Sequence, residues 1–294
     1  MAAHVDEFLI GIKPQREWGW LVITYLFLGG AGAGLYLVAL YVDHAWAAGL
    51  GLLVLLAGVT LLFLDLGRPE RFWRAFVRPQ SSWISRGCFF IALLVGLGML
   101  DLATRLPGLS VFLWGGGTVF GTSIRVMAAV CAVLVMLYTG FVLSASSAIP
   151  LWNSAFFPII FLAYSLLAGV DILLLGSPLL PGPLLDVLSL ERIQTLLTGA
   201  CLLLLATHFV ITSSAGTAAR ESIRLLTRGR WAGLFLGGVV AAGLVIPLLL
   251  GGPVAWTSGD HTPSVLAVLP VLRLLGDYLF RFLVIRAGLY DPLL

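Results

Sequence analysis

Long apolar runs alternate with short polar connections along the whole chain. A helix needs about 20 mostly apolar residues to cross the hydrocarbon core of a bilayer. Eight runs approach this length, at residues 20–41, 47–66, 84–102, 122–144, 154–175, 193–213, 231–250 and 264–285. The pattern therefore predicts an all-α, polytopic membrane protein with about eight transmembrane helices.

The composition supports this interpretation. Of the 294 residues, 60% are hydrophobic and 11% are charged, whereas a soluble domain of this size must cover itself with more polar side chains. The excess of 17 Lys and Arg over 14 Asp and Glu is too small to indicate a nucleic-acid partner. We expect a membrane-lipid environment and no cleavable signal peptide, because the polar N-terminal segment leads directly into an apolar run.

The arginines predict the orientation. With an even number of helices, both termini share one side with the loops between helices two and three, four and five, and six and seven. This side holds Lys13, Arg16, Arg68, Arg71, Arg74, Arg78, Arg220, Arg224, Arg228, Arg230 and Arg286. The other side holds little beyond Arg105, Arg125 and Arg192. The positive-inside rule then places both termini in the cytoplasm. A surface that docks a partner subunit could also gather arginines.

The first predicted helix contains a glycine-rich stretch that resembles a dinucleotide-binding loop. No strand precedes it, so this reading fails. Gly30 and Gly34 instead form a small-residue face suited to close helix packing. Tyr25 stands one turn before Gly29 on that face, so its hydroxyl is expected to point into the bundle. Trp18 and its neighbouring tryptophan are typical of an interfacial aromatic belt.

A second motif, L-D-L-G-R-P-E-R-F-W, ends the second predicted helix. It places Asp65 in or at the edge of the hydrocarbon, where an unpaired carboxylate is costly. One interpretation is a structural ion pair with Arg68 or Arg71 that closes the helix end. The other is a proton acceptor beside a bound redox ligand, tuned by these arginines.

Further ionisable residues lie at membrane depth, namely Asp101 with Arg105, Asp171, His208, and the series Arg273, Asp277 and Arg281. A spacing of four permits ion pairs along one helix face. Such pairs could hold the bundle together, or the same residues could form a proton path. Tyr138 is a buried hydroxyl that could equally be a core tyrosine.

Metal and haem sites are not expected in this protein. Cys88, Cys131 and Cys201 lie singly in apolar runs without the close spacing of a zinc or iron–sulfur site. Haem ligation between helices usually needs paired histidines, and only His208 lies clearly inside a predicted span. The protein can therefore hardly perform redox chemistry unaided.

Two motifs make the sequence similar to a known family. W-x-W-x4-Y-L-F-L-G-G-x-x-A-G on the first helix and L-D-L-G-R-P-x-R-F-W after the second resemble the NrfD/PsrC family, the membrane subunits of polysulfide-reductase-type complexes. Supporting segments are 81–87, 138–144, 150–153 and 281–288. The resemblance spans nearly the whole sequence.

The resemblance implies two four-helix bundles, here assigned to residues 1–145 and 146–294, in a prokaryotic inner membrane. It implies electron exchange between a quinone, either menaquinone or ubiquinone, and a ferredoxin-like iron–sulfur subunit docked over the quinone site. A catalytic subunit, often a molybdopterin enzyme, would complete the circuit. The quinone site is expected in the first bundle, near the start of the first helix.

Carried over residue by residue, Tyr25 corresponds to a quinone-contacting histidine, Tyr138 to a tyrosine at the quinone head group, and Asp65 to an acidic residue at the quinol site. Because tyrosine donates a hydrogen bond but is a poor base near neutral pH, the proton-accepting role shifts to Asp65. Val22 stands where polysulfide reductase has an asparagine.

These expectations combine into one hypothesis. Tyr25 and Tyr138 hydrogen-bond the quinone, Trp18 contacts it, Asp65 exchanges a proton and Arg68 tunes that carboxylate. Weaker candidates, for a proton path to the opposite side of the membrane, are Asp101, Arg105 and Asp171. The alternatives are an ion transporter with midplane carboxylates, and a structural anchor without a quinone of its own.

Overall fold

The structure, a computed structural model, describes residues 12–106, 117–182, 187–256 and 263–291. The helices are α1 (Trp20–Tyr41), α2 (Ala45–Leu64), α3 (Trp83–Arg105), α4 (Val119–Ser144), α5 (Phe156–Gly176), α6 (Val187–Thr212), α7 (Thr217–Thr227), α8 (Ile246–Trp256) and α9 (Pro263–Arg286). Two 3₁₀ segments, Pro69–Phe76 and Ser177–Leu179, and a π-helix, Gly233–Val245, complete the helical part. The strands are β1 (Lys13–Pro14) and β2 (Leu289–Tyr290).

The two ends of the protein pair with each other. Strands β1 and β2 are antiparallel, with Lys13 opposite Tyr290, and the Gln15 backbone amide donates to the Gly288 carbonyl at 3.0 Å. The start of α1 and the end of α9 therefore lie on one side of the protein, which we call the near face. The number of membrane crossings between them must be even.

Seven helices in the described ranges are long and apolar enough to cross a membrane, when the π-helix and the part of α8 up to Pro253 are counted as one helix. Helix α7, with 11 residues, is too short to be the missing crossing. Helix α9 has 24 residues, or about 36 Å at the α-helical rise, and we count it as the eighth. A helical membrane protein is thus confirmed, and the predicted runs differ from the observed helices only by several residues at their ends.

Helix α1 lies at the centre of the fold. Of its apolar span, 67% is buried, whereas only 28% is buried in α6. Its glycines permit this position, because a Cβ on Gly34 would overlap the backbone carbonyl of Ser165 on α5, and Gly169 meets Gly34 in the same way. The predicted small-residue packing face is therefore present.

The last predicted runs contain an irregularity that hydropathy did not predict. The π-helix Gly233–Val245 continues directly into α8, so one apolar run contains two helix types. Gly243 of the π-helix lies against Gly276 of α9, where a Cβ on either glycine would come within 3 Å of the other backbone. Close backbone packing therefore joins these two segments.

The division into bundles at residue 145 stays a prediction. Helix α1 contacts α2 and α4, but it also packs closely on α5 and α9. The two proposed halves therefore share a dense interface built on α1.

Candidate functional site

A cavity of about 280 Å³ lies at the near face, within the first four helices. Its wall comes from the segment before α1 and the first turns of α1, the end of α2, the start of α3 and the end of α4. The lining side chains are mostly apolar and include two tyrosines and two carboxylates, as follows: Glu17, Trp18, Val22, Tyr25, Leu26, Leu62, Asp65, Ile84, Tyr138 and Val142.

The two tyrosines supply hydroxyl groups to this apolar space. Tyr25 is 3% exposed, and its hydroxyl has no hydrogen-bond partner among the described residues. Tyr138 is 5% exposed, and its ring lies against Gly87 of α3, where a Cβ would overlap the ring atoms. A buried hydroxyl without a partner is costly in an apolar site, so Tyr25 is suited to a ligand that accepts a hydrogen bond.

Trp18 is positioned by two residues to which the sequence motifs gave no role. The side chain of Gln15 is buried, and its Oε1 accepts a hydrogen bond of 3.0 Å from the backbone amide of Trp18. Its Nε2 donates a hydrogen bond of 3.1 Å to the carbonyl oxygen of Ile285. The rings of Trp18 and Trp152 lie 5.6 Å apart, and Trp152 Nε1 donates to the Val284 carbonyl at 3.0 Å. The end of α9 thus supports the cavity wall.

Asp65 lies at the C-terminal end of α2, where it is exposed and lines the cavity. Within the described part of the protein, neither Arg68 nor Arg71 comes within ion-pair distance of its carboxylate. The structural ion pair considered from the sequence is therefore absent from these residues. Arg68 is exposed and does not line the cavity. The turn at Gly67 and Pro69 separates it from Asp65.

Glu17 is a second exposed carboxylate on the cavity wall. The sequence patterns did not indicate a role for it, because Glu17 precedes the first apolar run and belongs to neither motif. Only its position in the sequence, next to the predicted site residue Trp18, could have indicated that Glu17 lies at the site.

Asp101 and Arg105 lie elsewhere, at the face opposite the near face. Asp101 is buried, and its carboxylate accepts hydrogen bonds from Arg105 Nη1 at 3.1 Å and from Arg125 Nε at 3.2 Å. Both arginines also contact Asp43, at 2.8 and 3.4 Å. The predicted pair of Asp101 and Arg105 is confirmed within a four-residue network. Arg125 and Tyr138 are 13 residues apart on α4, or about 20 Å.

Asp171 belongs to a second buried cluster. Arg273 Nε donates to Asp171 Oδ1 at 2.9 Å, and the Gln194 amide also donates to that oxygen. The sequence suggested that Arg273 could pair with Asp277 on its own helix, but Arg273 reaches across to α5 instead. Asp277 pairs with Arg281 at 2.8 Å, as the spacing of four predicted.

One contact connects this second cluster to the cavity. Arg281 is fully buried and donates through Nη1 to the carbonyl oxygen of Leu26 at 3.0 Å, and through Nη2 to Ser165 Oγ at 3.3 Å. Leu26 lines the cavity and follows Tyr25. Arg281 therefore fixes the backbone of α1 beside Tyr25.

His208 is buried in α6, with Ser154 Oγ 3.3 Å and Thr212 Oγ1 3.4 Å from its Nδ1. Across the described ranges, no three His, Cys, Asp or Glu side chains are grouped to hold a metal ion.

Nearly the whole sequence matches a known family. The family described as "Polysulphide reductase, NrfD" matches residues 9–291. The protein belongs to the NrfD family. It is 28% identical to a polysulfide reductase chain of Wolinella succinogenes, with 92% of this sequence and 94% of that protein covered. It is 27% identical to protein NrfD of Escherichia coli, with 92% and 94% covered.

A shorter match concerns a sulfite dehydrogenase subunit of Allochromatium vinosum, which is 38% identical over 91 residues, or 26% of this sequence and 28% of that protein. NrfD-family membership confirms the resemblance identified from the two motifs. Two of these relatives are named as a chain or subunit of an oxidoreductase, and this protein is a multi-span membrane protein of the NrfD family.

Four of the residues predicted from this NrfD-type sequence lie together around one cavity, namely Trp18, Tyr25, Asp65 and Tyr138. Arg68 lies outside its wall, and Asp101, Arg105 and Asp171 belong to the two ion clusters described above. Chemically, the cavity offers hydrogen-bond donors in an apolar space and carboxylates that face water at the near side. This combination suits a flat, apolar ligand that accepts hydrogen bonds and exchanges protons.

Proposed function

We propose that this protein is the quinone-reactive membrane subunit of a respiratory oxidoreductase complex, and that the near-face cavity binds the quinone head group. The observation that carries the proposal is the Tyr25 hydroxyl, which is buried and without a partner among the described residues, in a mostly apolar wall. The cavity volume of about 280 Å³ is near the lower end of small-molecule sites. A quinone supplies chemistry that couples two electrons to two protons.

Tyr25 and Tyr138 hold the head group by donating hydrogen bonds to its carbonyl oxygens. Both side chains are buried, so each hydrogen bond forms away from competing water and contributes more than it would at the surface. Trp18, Val22 and Leu26 provide the apolar surface around the ring. This arrangement favours a planar ligand with oxygen acceptors, which fits either menaquinone or ubiquinone.

Asp65 exchanges protons between the head group and water. It lines the cavity and is exposed on the near face, so it reaches both environments. Glu17 has the same two properties and provides a second exchange site. Arg68 lies outside the cavity wall, and we assign it no contact with the quinone.

The electron partner in this proposal is a ferredoxin-like iron–sulfur subunit that docks on the near face, with a catalytic subunit, of the molybdopterin type, beyond it. Two relatives are named as parts of larger enzymes, which supports an assembly of several subunits. The near face is also the arginine-rich side of the protein. The charge bias favours a cytoplasmic near face in a bacterial inner membrane.

Purification of the native complex with its lipids tests the proposal. We expect about one quinone per copy of this protein and a co-purifying subunit with an iron–sulfur absorbance and paramagnetic resonance signal. A protein that purifies alone, holds no quinone and conducts ions in vesicles would contradict the proposal and support the transporter alternative. A complex with clusters but no quinone would support a structural anchor.

A further inference from the structure

A second cavity lies beside the first, between the 3₁₀ segment Pro69–Phe76 and the start of α3. It has a volume of about 480 Å³. It shares only Ile84 with the cavity proposed for the quinone. The residues that matter are two arginines, Arg74 and Arg78, and two serines, Ser82 and Ser85.

The arginines provide positive charge that no acidic side chain in the described ranges neutralises. Arg74 and Arg78 are exposed, and neither forms an ion pair with an Asp or Glu among those residues. Arg74 packs over the ring of Trp73, 5.6 Å from its centre. Guanidinium groups bind phosphate oxygens through pairs of parallel hydrogen bonds.

The first turn of α3 provides neutral donors. Ser82 caps the helix, and its Oγ accepts the Ser85 amide at 3.4 Å. A 23-residue helix presents free amides and a partial positive charge at this end. The Ser85 side chain is only 2% exposed, and its hydroxyl has no partner anywhere in the described ranges, although Ser85 lines the cavity.

The loop that closes the cavity is held in place. Arg86 donates to the carbonyl oxygens of Pro79 and Gln80, at 2.8 and 2.7 Å, and its guanidinium lies 4.4 Å from the centre of the Trp83 ring. The loop around the cavity is therefore fixed by other contacts before a ligand binds, which lowers the entropy lost on binding.

The apolar part of the cavity identifies the source of the anion. Trp73, Val77 and Ile84 are 62%, 58% and 55% exposed, and all three line the cavity. Tryptophan is enriched where a membrane protein meets the lipid head groups. A free phosphate ion would leave these side chains in contact with water. A phospholipid would cover them with its glycerol and upper acyl chains while its phosphate meets the arginines.

We propose that this cavity binds the phosphate of an anionic phospholipid between Arg74, Arg78 and the Ser85 hydroxyl. The recognised chemistry is a phosphate with a net negative head group attached to acyl chains. The site is independent of the quinone proposal, because it shares no polar residue with the first cavity.

Native mass spectrometry of the detergent-purified full-length protein tests the site, with phosphatidylglycerol, phosphatidylcholine of the same acyl chains, and inorganic phosphate as probes. We expect one phosphatidylglycerol bound in preference to phosphatidylcholine. Replacing both arginines, R74Q with R78Q, should weaken that binding at least about tenfold, and S85A about fivefold. The matched control R220Q with R224Q removes two near-face charges from α7 and should leave binding unchanged.

Several outcomes would overturn the site. Unchanged phosphatidylglycerol binding in the R74Q and R78Q variant would remove the role of the arginines. Equal binding of phosphatidylcholine would show that the site does not recognise a net negative head group. Inorganic phosphate that competes with phosphatidylglycerol at equal affinity would identify a free-anion site. Lipid that binds only after co-purifying subunits are stripped away would assign this surface to a protein partner. A melting temperature for each variant confirms that the protein is folded.

Discussion

Arg281 on α9 donates a hydrogen bond of 3.0 Å to the carbonyl oxygen of Leu26 on α1, and it pairs with Asp277 at 2.8 Å. One fully buried guanidinium therefore serves both the ion cluster of the second half and the backbone of the cavity wall. This relationship explains why a charge is retained at the core of a membrane protein, where it is costly unless it is fully paired.

Replacing Arg281 by Met should destabilise the protein strongly. The variant leaves the Asp277 carboxylate buried without its partner, which typically costs about 3–5 kcal/mol. Thermal unfolding in detergent measures the effect. The double variant D277N with R281M should recover part of the loss, and R224Q, at an exposed position of α7, should change little. An R281M protein as stable as the wild type would contradict the structural role.

Gly87 sets the position of the Tyr138 ring, because a Cβ at residue 87 would overlap that ring. G87A should displace the ring at a cost of about 1–3 kcal/mol and weaken quinone retention by a factor of about 5 to 150. The control is G96A on the same helix, since a Cβ there meets nothing within 4 Å. Equal quinone retention in the two variants would show that Tyr138 does not need this position.

Asp65 is the main proton-exchanging group of the proposed site. D65N should lower quinone-linked turnover of the intact complex about 10²-fold or more, as expected for loss of a general acid–base group. Assembly and quinone retention should remain, because the amide keeps the size of the side chain. E70Q, on the same connection but outside the cavity, is the control. Unchanged turnover in D65N would remove the role of Asp65.

Asp101 should support stability rather than turnover. In D101N the two arginines lose Asp101 but keep Asp43, so we expect a loss of about 1–3 kcal/mol in unfolding free energy, with quinone turnover per folded protein unchanged. Turnover is compared after correction for the folded fraction. A D101N variant of normal stability and reduced turnover would favour the proton route to the far face instead.

Much of the fold could be predicted from hydropathy, because the bilayer requires long apolar helices. The apolar runs identified eight segments, and the spacing of Tyr25, Gly30 and Gly34 already indicated a packed, inward face of α1. Hydropathy did not predict α7 or the 3₁₀ segment Pro69–Phe76, since both are amphipathic and short. It also did not predict the π-helix, whose composition is indistinguishable from that of an α-helical span.

The residues around the cavity could be predicted where a sequence motif contains them, and could not be predicted where only tertiary contacts bring them there. Tyr25 and Asp65 stand in two recognisable motifs, and the fold brings them to one cavity. Gln15 and Trp152 gain their roles only through contacts with the carbonyl groups of Ile285 and Val284, more than a hundred residues away. Such long-range pairs leave no periodic signal in the sequence.

The quinone affinity of the double variant Y25F with Y138F tests most directly whether the two tyrosines hold the quinone. Removing two buried donors should weaken quinone retention by the purified complex at least about tenfold, while the folded fraction remains unchanged. The control is Y41F, because Tyr41 is 65% exposed at the other end of α1. We predict normal retention in Y41F and loss in the double variant. Quinone content in the double variant equal to that of Y41F and the wild type would contradict the account.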